Sequence, residues 1–306
     1  MPTANRKSTK FTNDDVYSMV TSRIIESLHA GTVPWRMPFT SKYTARLPTN
    51  LKSRKSYRGM NTFLLMTAGF ECPYWLSYKQ AFDMGGNVKR GEKSSLVTLW
   101  KFLKTGQTDA NGKDKTLPLL RYFRVFNFTQ CEGIELPKWA QSEAVADLKF
   151  SCKPACEKII KGYVGGPKII KGERASYRPS SDEISMPDKK SFVSVDAYYS
   201  TLFHEMTHST GHASRLNRDL QNGFGSDEYS KEELIAEMGA SFLNATAGVV
   251  TEFEQSAAYI KGWLSKFEGD DKFVMQAAGL AQKASDHILG YTYQEEELKN
   301  DDSDDE

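Results

Sequence analysis

The sequence predicts an α+β protein of two domains, on three observations. Apolar residues recur at helical spacing over residues 13–30 and again from 194 to about 290. Between these regions, two β-rich runs at residues 95–103 and 117–128 flank a polar loop, the pattern of a hairpin with an extended tip. Charge divides the 306-residue chain as well: residues 1–135 hold 21 Lys and Arg against 10 Asp and Glu, a net of +11, and the remainder holds 19 against 29, a net of −10. A formal net charge of +1 hides that polarity, which points to different partners for the two halves.

Taken in order, residues 1–12 are polar and read as a mobile arm. Residues 13–30 form a helix with Asn13 as its cap and Val16, Met19, Val20, Ile24 and Leu28 on one face, ended by Gly31 and Pro34. The loop V-P-W-R-M-P-F at 33–39 sets Trp35 and Arg36 among prolines. Short helices are expected at 60–68 and 76–84, the second stopped by Gly85 and Gly86, and then the hairpin. Residues 137–150 read as a linker, so the expected domains span 13–136 and 151–293. A β-rich patch at 168–187 leads into a helix capped by Ser194, with Asp196 complementing its positive end. Helices follow, and the acidic tail 294–306 is expected to be disordered.

The run F-H-E-M-T-H-S-T-G-H at 203–212 carries the chemistry. His204 and His208 lie one helical turn apart, so both imidazoles can reach one metal ion, and Glu205 between them can take a proton from a metal-bound water. Three of the five histidines fall in these ten residues. A catalytic zinc site needs a third protein ligand. His212 is one candidate, but the metzincin extension H-x-x-G-x-x-H fails on spacing, since the position six beyond His208 is Ser214. The other is the segment S-K-E-E-L-I-A-E-M-G-A-S-F-L at 230–243, a second helix starting at Ser230, with Glu233 and Glu237 on one face. Its E-x-x-A-E pattern resembles the third-ligand helix of the glutamate-zincins. That resemblance assigns Glu233 to the metal and Glu237 to orienting a ligand imidazole. Zn²⁺ suits this donor set, with Mn²⁺ or Co²⁺ possible.

Composition bounds the setting. No apolar run approaches the length needed to span a bilayer, and the N-terminus has no apolar signal stretch, so a cytoplasmic protein with no membrane partner is expected. Cys72, Cys131, Cys152 and Cys156 form no C-x-x-C pair and read as reduced thiols. Between Glu26 and Glu71 there is no acidic residue, while Arg36, Lys42, Arg46, Lys52, Arg54, Lys55 and Arg58 are present, a candidate polyanion surface. Trp35, Tyr43 and Tyr57 lie in that stretch and are the rings on which bases would stack.

The ordered motifs V-P-W-R-M-P-F (33–39), L-P-T-N (47–50), Y-R-G-M-N (57–61), Y-K-Q-A (78–81), G-G-N-V-K-R-G-E-K (85–93) and V-F-N-F-T-Q-C-E-G (125–133) resemble the N-terminal domain of the ArdC-type antirestriction proteins of conjugative plasmids. TraC-type primases carry a similar domain. S-D-E-I-S-M-P (181–187), H-E-M-T-H, S-R-L-N-R (214–218) and E-E-L-I-A-E resemble the zincin-type metallopeptidase domain of the same family. The resemblance implies an antirestriction protein whose residues 13–136 bind single-stranded DNA, whose residues 151–293 form a zincin-like domain, and which protects incoming conjugative DNA from host restriction endonucleases. The DNA-binding residues expected on this reading are Trp35, Arg36, Lys52, Arg54, Lys55, Tyr57 and Arg58.

Two other functions compete. One is a metalloprotease whose basic half recruits DNA-bound or acidic protein substrates, a restriction enzyme included. Glu205 would then be the general base, residues 182–187 the edge strand that takes the substrate, and His287 or Tyr259 the oxyanion donor. The other is a primase or nuclease accessory, weakened because the basic half has no cluster of spaced Asp for Mg²⁺.

Overall fold

The computed structural model describes residues 12–36, 47–108, 114–141, 152–220, 227–250 and 257–291. Helix α1 (Asn13–His29) is capped one residue before its expected cap, and Asn13 is its first residue. Thr12 is the N-cap, in a reciprocal box with Asp15. That frees the Asn13 side chain to accept from the backbone N–H of Leu120 at 2.9 Å, which ties α1 to the hairpin.

A 3-10 turn (Pro34–Arg36), β1 (Thr49–Asn50), α2 (Met60–Met66), β2 (Tyr74–Leu76), α3 (Tyr78–Asp83) and β3 (Asn87–Val88) lead to the hairpin strands β4 (Ser95–Thr108) and β5 (Asp114–Asn127). The hairpin is longer than its apolar pattern suggests. Pairing runs out through the polar residues, with Thr105 Oγ1 donating to the Lys115 carbonyl at 2.9 Å and a register shift between Lys104 and Thr108. The main sheet has the order β1-β2-β5-β4, and β6 (Cys131–Glu132) pairs separately with β3.

Helix α4 (Cys152–Gly162) precedes a small sheet of β7 (Lys168–Lys171), β8 (Ser176–Arg178) and β9 (Glu183–Met186), in the order β7-β9-β8. The segment 182–187, expected as an edge strand, is therefore central: β9 is paired on both sides, and its backbone groups are spent on β7 and β8. The edge is β8. Helices α5 (Val195–Ser209), α6 (Asp227–Ala247), α7 (Ala257–Phe267) and α8 (Phe273–Leu289) complete the chain. Ser194 caps α5 as expected, accepting from the Ala197 N–H at 3.0 Å. Helix α6 starts at Asp227, so Ser230 lies inside it and does not cap it.

The largest core crosses the charge divide. Ile24 and Leu28 of α1, Trp35 and Phe63 pack with Leu234 and Met238 of α6, Phe267 of α7 and Ala277 of α8. The Phe63 and Phe242 rings stack at 5.1 Å between centroids. A second core seats α5 through Tyr199, Leu202, Phe203 and Met206 against α4, β9 and α6. The α5–α6 crossing depends on Gly239: a Cβ there would sit 2.4 Å from Thr207 Cγ2, so only glycine lets the helices approach this closely.

Candidate metal centre

The α5 helix turns its apolar side into the second core and leaves His204, Glu205 and His208 facing a cleft. The two imidazole Nε2 atoms approach to 3.1 Å. From α6, Glu233 places Oε2 3.7 Å from His204 Nε2 and Oε1 3.5 Å from His208 Nε2, and all three donors lie within 4.8 Å of one another. Ligands at ~2.0–2.1 Å around a tetrahedral ion stand about 3.3 Å apart, so these spacings fit one divalent cation. Two Nε2 lone pairs and a carboxylate converging on one point repel unless a cation or proton lies between them, which is the chemistry of a ligand set.

The group that orients the imidazole is Glu232, which sequence reading passed over. Its Oε1 meets His208 Nδ1 at 3.1 Å. Arg218 holds the same carboxylate through Nη2 at 2.8 Å and Nε at 2.9 Å, and also donates to Thr210 Oγ1 and the Thr207 carbonyl. Glu237, assigned that role from the sequence, does something else. It accepts from Trp35 Nε1 at 3.1 Å, from Arg36 Nη2 at 3.0 Å and Nε at 3.3 Å, and from the Tyr259 hydroxyl. One helical turn beyond Glu233 carries it past the histidines to the 3-10 turn and α7. Arg36 completes the assembly by stacking its guanidinium 3.6 Å from the Tyr259 ring centroid.

Glu205 Oε2 accepts from the backbone N–H of Tyr177 on β8 at 2.8 Å. Burial raises its pKa, against the opposing pull of His208. Burial pushes His204 well below its ordinary value, helped by the neighbouring His208 and Arg36 charges, which keeps it in the neutral, ligating form. Burial also pulls His208 down, but the Glu232 carboxylate, with Glu233 and Glu205, outweighs it and the net direction is up. Burial would raise Glu232, yet Arg218 and His208 hold it low. The cleft has a volume of about 410 Å³, and besides the histidines and Glu205 it is lined by Tyr177, Pro179, Asp219, Leu220 and Glu232. Behind β8, Arg215 pairs with Asp182, which also accepts from the Tyr177 hydroxyl at 2.8 Å, so the edge strand is fixed to the segment after α5.

His212 does not join the ligands: its Nδ1 lies 2.8 Å from Ser214 Oγ in the turn after α5. His287 packs edge-on against Tyr163, and neither it nor Tyr259 lines the cleft. Both useful arginines lie in the S-R-L-N-R motif at 214–218, so the signal was in the sequence, but spacing alone did not show what they hold.

The residues expected to bind DNA scatter. Trp35 is a core residue, 2% exposed, packed edge-on against Trp263 and Phe267, and no base can stack on it. Arg36 is committed to Glu237. Tyr57 is half-buried beside Leu65, Trp75, Val97 and Val125, with its hydroxyl accepting from Asn50 Nδ2. Arg58 pairs with Asp286 of α8. Lys52, Arg54 and Lys55 are exposed, whereas Lys42, Tyr43 and Arg46 lie outside the described residues.

Comparison with known proteins agrees with this arrangement. Residues 14–126 match the family described as the N-terminal domain of the anti-restriction factor ArdC, and residues 155–280 match a zincin-like metallopeptidase family. Among solved structures, the metal-free antirestriction ArdC protein of plasmid R388 is 35% identical with a TM-score of 0.73, over 91% of this chain and 100% of its own. Its Mn(II)-bound form gives 34% and 0.72, over 92% and 100%. Two DNA primases TraC of Escherichia coli are 37% and 35% identical over 90% of this chain, which spans only 27% and 20% of their lengths. An uncharacterized protein, y4eC, of Sinorhizobium fredii is 33% identical over 90% of this chain and 92% of its own. With both regions matched in order and whole-length relatives in hand, the chain belongs to the ArdC antirestriction family, with an ArdC-type N-terminal region and a zincin-like metallopeptidase region.

Proposed function

We propose that this protein binds single-stranded DNA and protects incoming conjugative plasmid DNA from host restriction endonucleases in the recipient cytoplasm, and that it holds zinc at His204, His208 and Glu233. The observation that carries the reading is the whole-length likeness to the R388 antirestriction protein, 35% identical over 100% of that chain. The net of +11 on residues 1–135 supports a polyanion partner for the N-terminal half.

The intact site supports a second reading, a metallopeptidase brought to DNA-bound or acidic protein substrates by the basic half. A divalent cation bound there supplies Lewis acidity toward a carbonyl or a water. Glu205, at the cleft with its pKa raised, takes the proton of the attacking water on its carboxylate and returns it to the leaving amine. The β8 edge beside it offers backbone groups to an extended chain.

Plasmid transfer into restricting and non-restricting recipients separates the readings. Wild type should raise transfer into the restricting recipient alone, and Glu205→Gln should retain that protection, because occupying DNA breaks no bond. No effect of wild type would overturn the proposal. Loss of protection in Glu205→Gln with unchanged single-strand affinity would make the metal chemistry the function.

A further inference from the structure

Of the rings expected to stack on bases, Trp35 is buried and Tyr57 half-buried, and Tyr43 lies outside the described residues, yet a basic single-strand binder needs accessible ones. Helix α3 presents two. Tyr78 and Phe82 are 58% and 67% exposed and stand four residues apart, on one face and about 6 Å apart along the axis. The helix beneath them is firmly seated. Ser77 and Gln80 form a reciprocal capping box, Gln80 also accepts from Asn50 Nδ2 at 2.9 Å, and Ala81 is fully buried. Large rings exposed to solvent on a capped helix do nothing for this fold's core.

Their surroundings are cationic. Lys52, on the turn after β1, reaches Asp83 at 2.6 Å, which neutralises that acid and places the turn against α3. Arg54 and Lys55 are exposed on the same turn, with the Arg54 guanidinium 5.0 Å from the Trp139 ring centroid, and Lys79 is exposed between the two rings in sequence. Arg54 and Lys55 on the turn tied to α3, and Lys79 on α3 itself, leave cations beyond the neutralised Asp83 beside two exposed rings, which complements a strand that is anionic along its backbone and aromatic along its bases. Trp100, by comparison, packs against Tyr17 of α1.

We propose that Tyr78 and Phe82 form a base-stacking platform for single-stranded nucleic acid, with Arg54, Lys55 and Lys79 facing the phosphates and Lys52 holding Asp83 neutral beside it. This site rests on the single-strand reading above and locates it. Stacking on two rings tolerates any base, so sequence preference is weak.

The test uses the full-length protein, a labelled thymidine oligonucleotide and an abasic strand of equal length, read by fluorescence anisotropy. Tyr78→Ala/Phe82→Ala should weaken oligonucleotide binding on the order of 10²-fold while leaving affinity for the abasic strand and thermal stability unchanged. Tyr78→Phe/Phe82→Tyr should bind as wild type does. Lys55→Gln/Lys79→Gln should lower the slope of log K against log[salt] by about 1.4, at ~0.7 per phosphate contact. Wild-type affinity in the double alanine variant would overturn the platform while leaving the single-strand reading intact, and would mark the rings as a protein-facing surface. Absence of oligonucleotide binding by wild type would overturn both.

Discussion

Gly239→Ala tests whether the helix crossing builds the metal site. A Cβ at 239 would lie 2.4 Å from Thr207 Cγ2 and 2.9 Å from its Oγ1. Carbon atoms in contact sit at ~3.5–4.0 Å, so α5 and α6 must separate by about 1 Å. Thr207 is fully buried, and its hydroxyl donates to the Phe203 carbonyl at 2.8 Å, so it has no easy way to turn aside. Overpacking costs up to about 3 kcal/mol, and the helical gain of alanine over glycine returns about 1 kcal/mol. The net loss is about 2 kcal/mol, a fall in Tm of about 4–8 °C. The same displacement carries Glu233 away from imidazoles that it now approaches at 3.5 and 3.7 Å, so metal affinity should fall at least tenfold. Thermal unfolding with and without metal, and competition with a chelating dye, read both effects. Thr207→Ala in the Gly239→Ala background should restore most of the loss. A Gly239→Ala protein as stable as wild type with unchanged metal affinity would refute the reasoning.

Glu233→Ala should abolish tight metal binding, Glu232→Ala should weaken it by ~10–100-fold, and Glu205→Gln should retain it, as elemental analysis and metal titration would show; equal losses in the two alanine variants would make Glu232 a ligand. Glu237→Ala should keep the metal and lose about 2–4 kcal/mol of stability, because it removes the acceptor shared by Trp35, Tyr259 and Arg36, whose side chain is only 19% exposed. Metal loss without destabilisation in that variant would restore the sequence-based role. Asp182→Asn should cost about 2 kcal/mol near neutral pH by depriving Arg215, 3% exposed, of its carboxylate. The Arg215 hydrogen bond, opposed by burial and aided by Tyr177, holds Asp182 below its ordinary pKa. Its stabilisation is therefore present above the unfolded value of about 3.9 and is lost as pH falls through the lower folded value. Denaturant unfolding should show the gap between wild type and variant closing in acid, and a pH-independent gap would contradict the linkage.

What the sequence revealed was mostly local. His204 and His208 are readable because helical geometry alone puts them together, and Glu233 because its helix carries a recognisable pattern. Glu232 and Glu237 could not be told apart from spacing. Which of them meets His208 depends on how closely α6 crosses α5, and that approach is set by Gly239 against Thr207. The acid-free stretch correctly reported net charge but not which side chains face water. Trp35 and Arg36 lie within it and yet point inward, toward α6 and α7. The apolar face of α1 was legible, but its partners, α6 to α8, lie some 200 residues away in sequence. The 182–187 run looked like an exposed strand because its alternation is the same in a central strand and an edge strand.

The most direct test of the metal assignment is an anomalous difference map from crystals of the full-length protein grown with a divalent transition metal. The account predicts one strong peak at ~2.0–2.2 Å from His204 Nε2, His208 Nε2 and a Glu233 carboxylate oxygen, with Glu232 on His208 Nδ1 and Glu237 on Arg36. A peak coordinated by Glu232 or Glu237, or none between the two histidines, would contradict it.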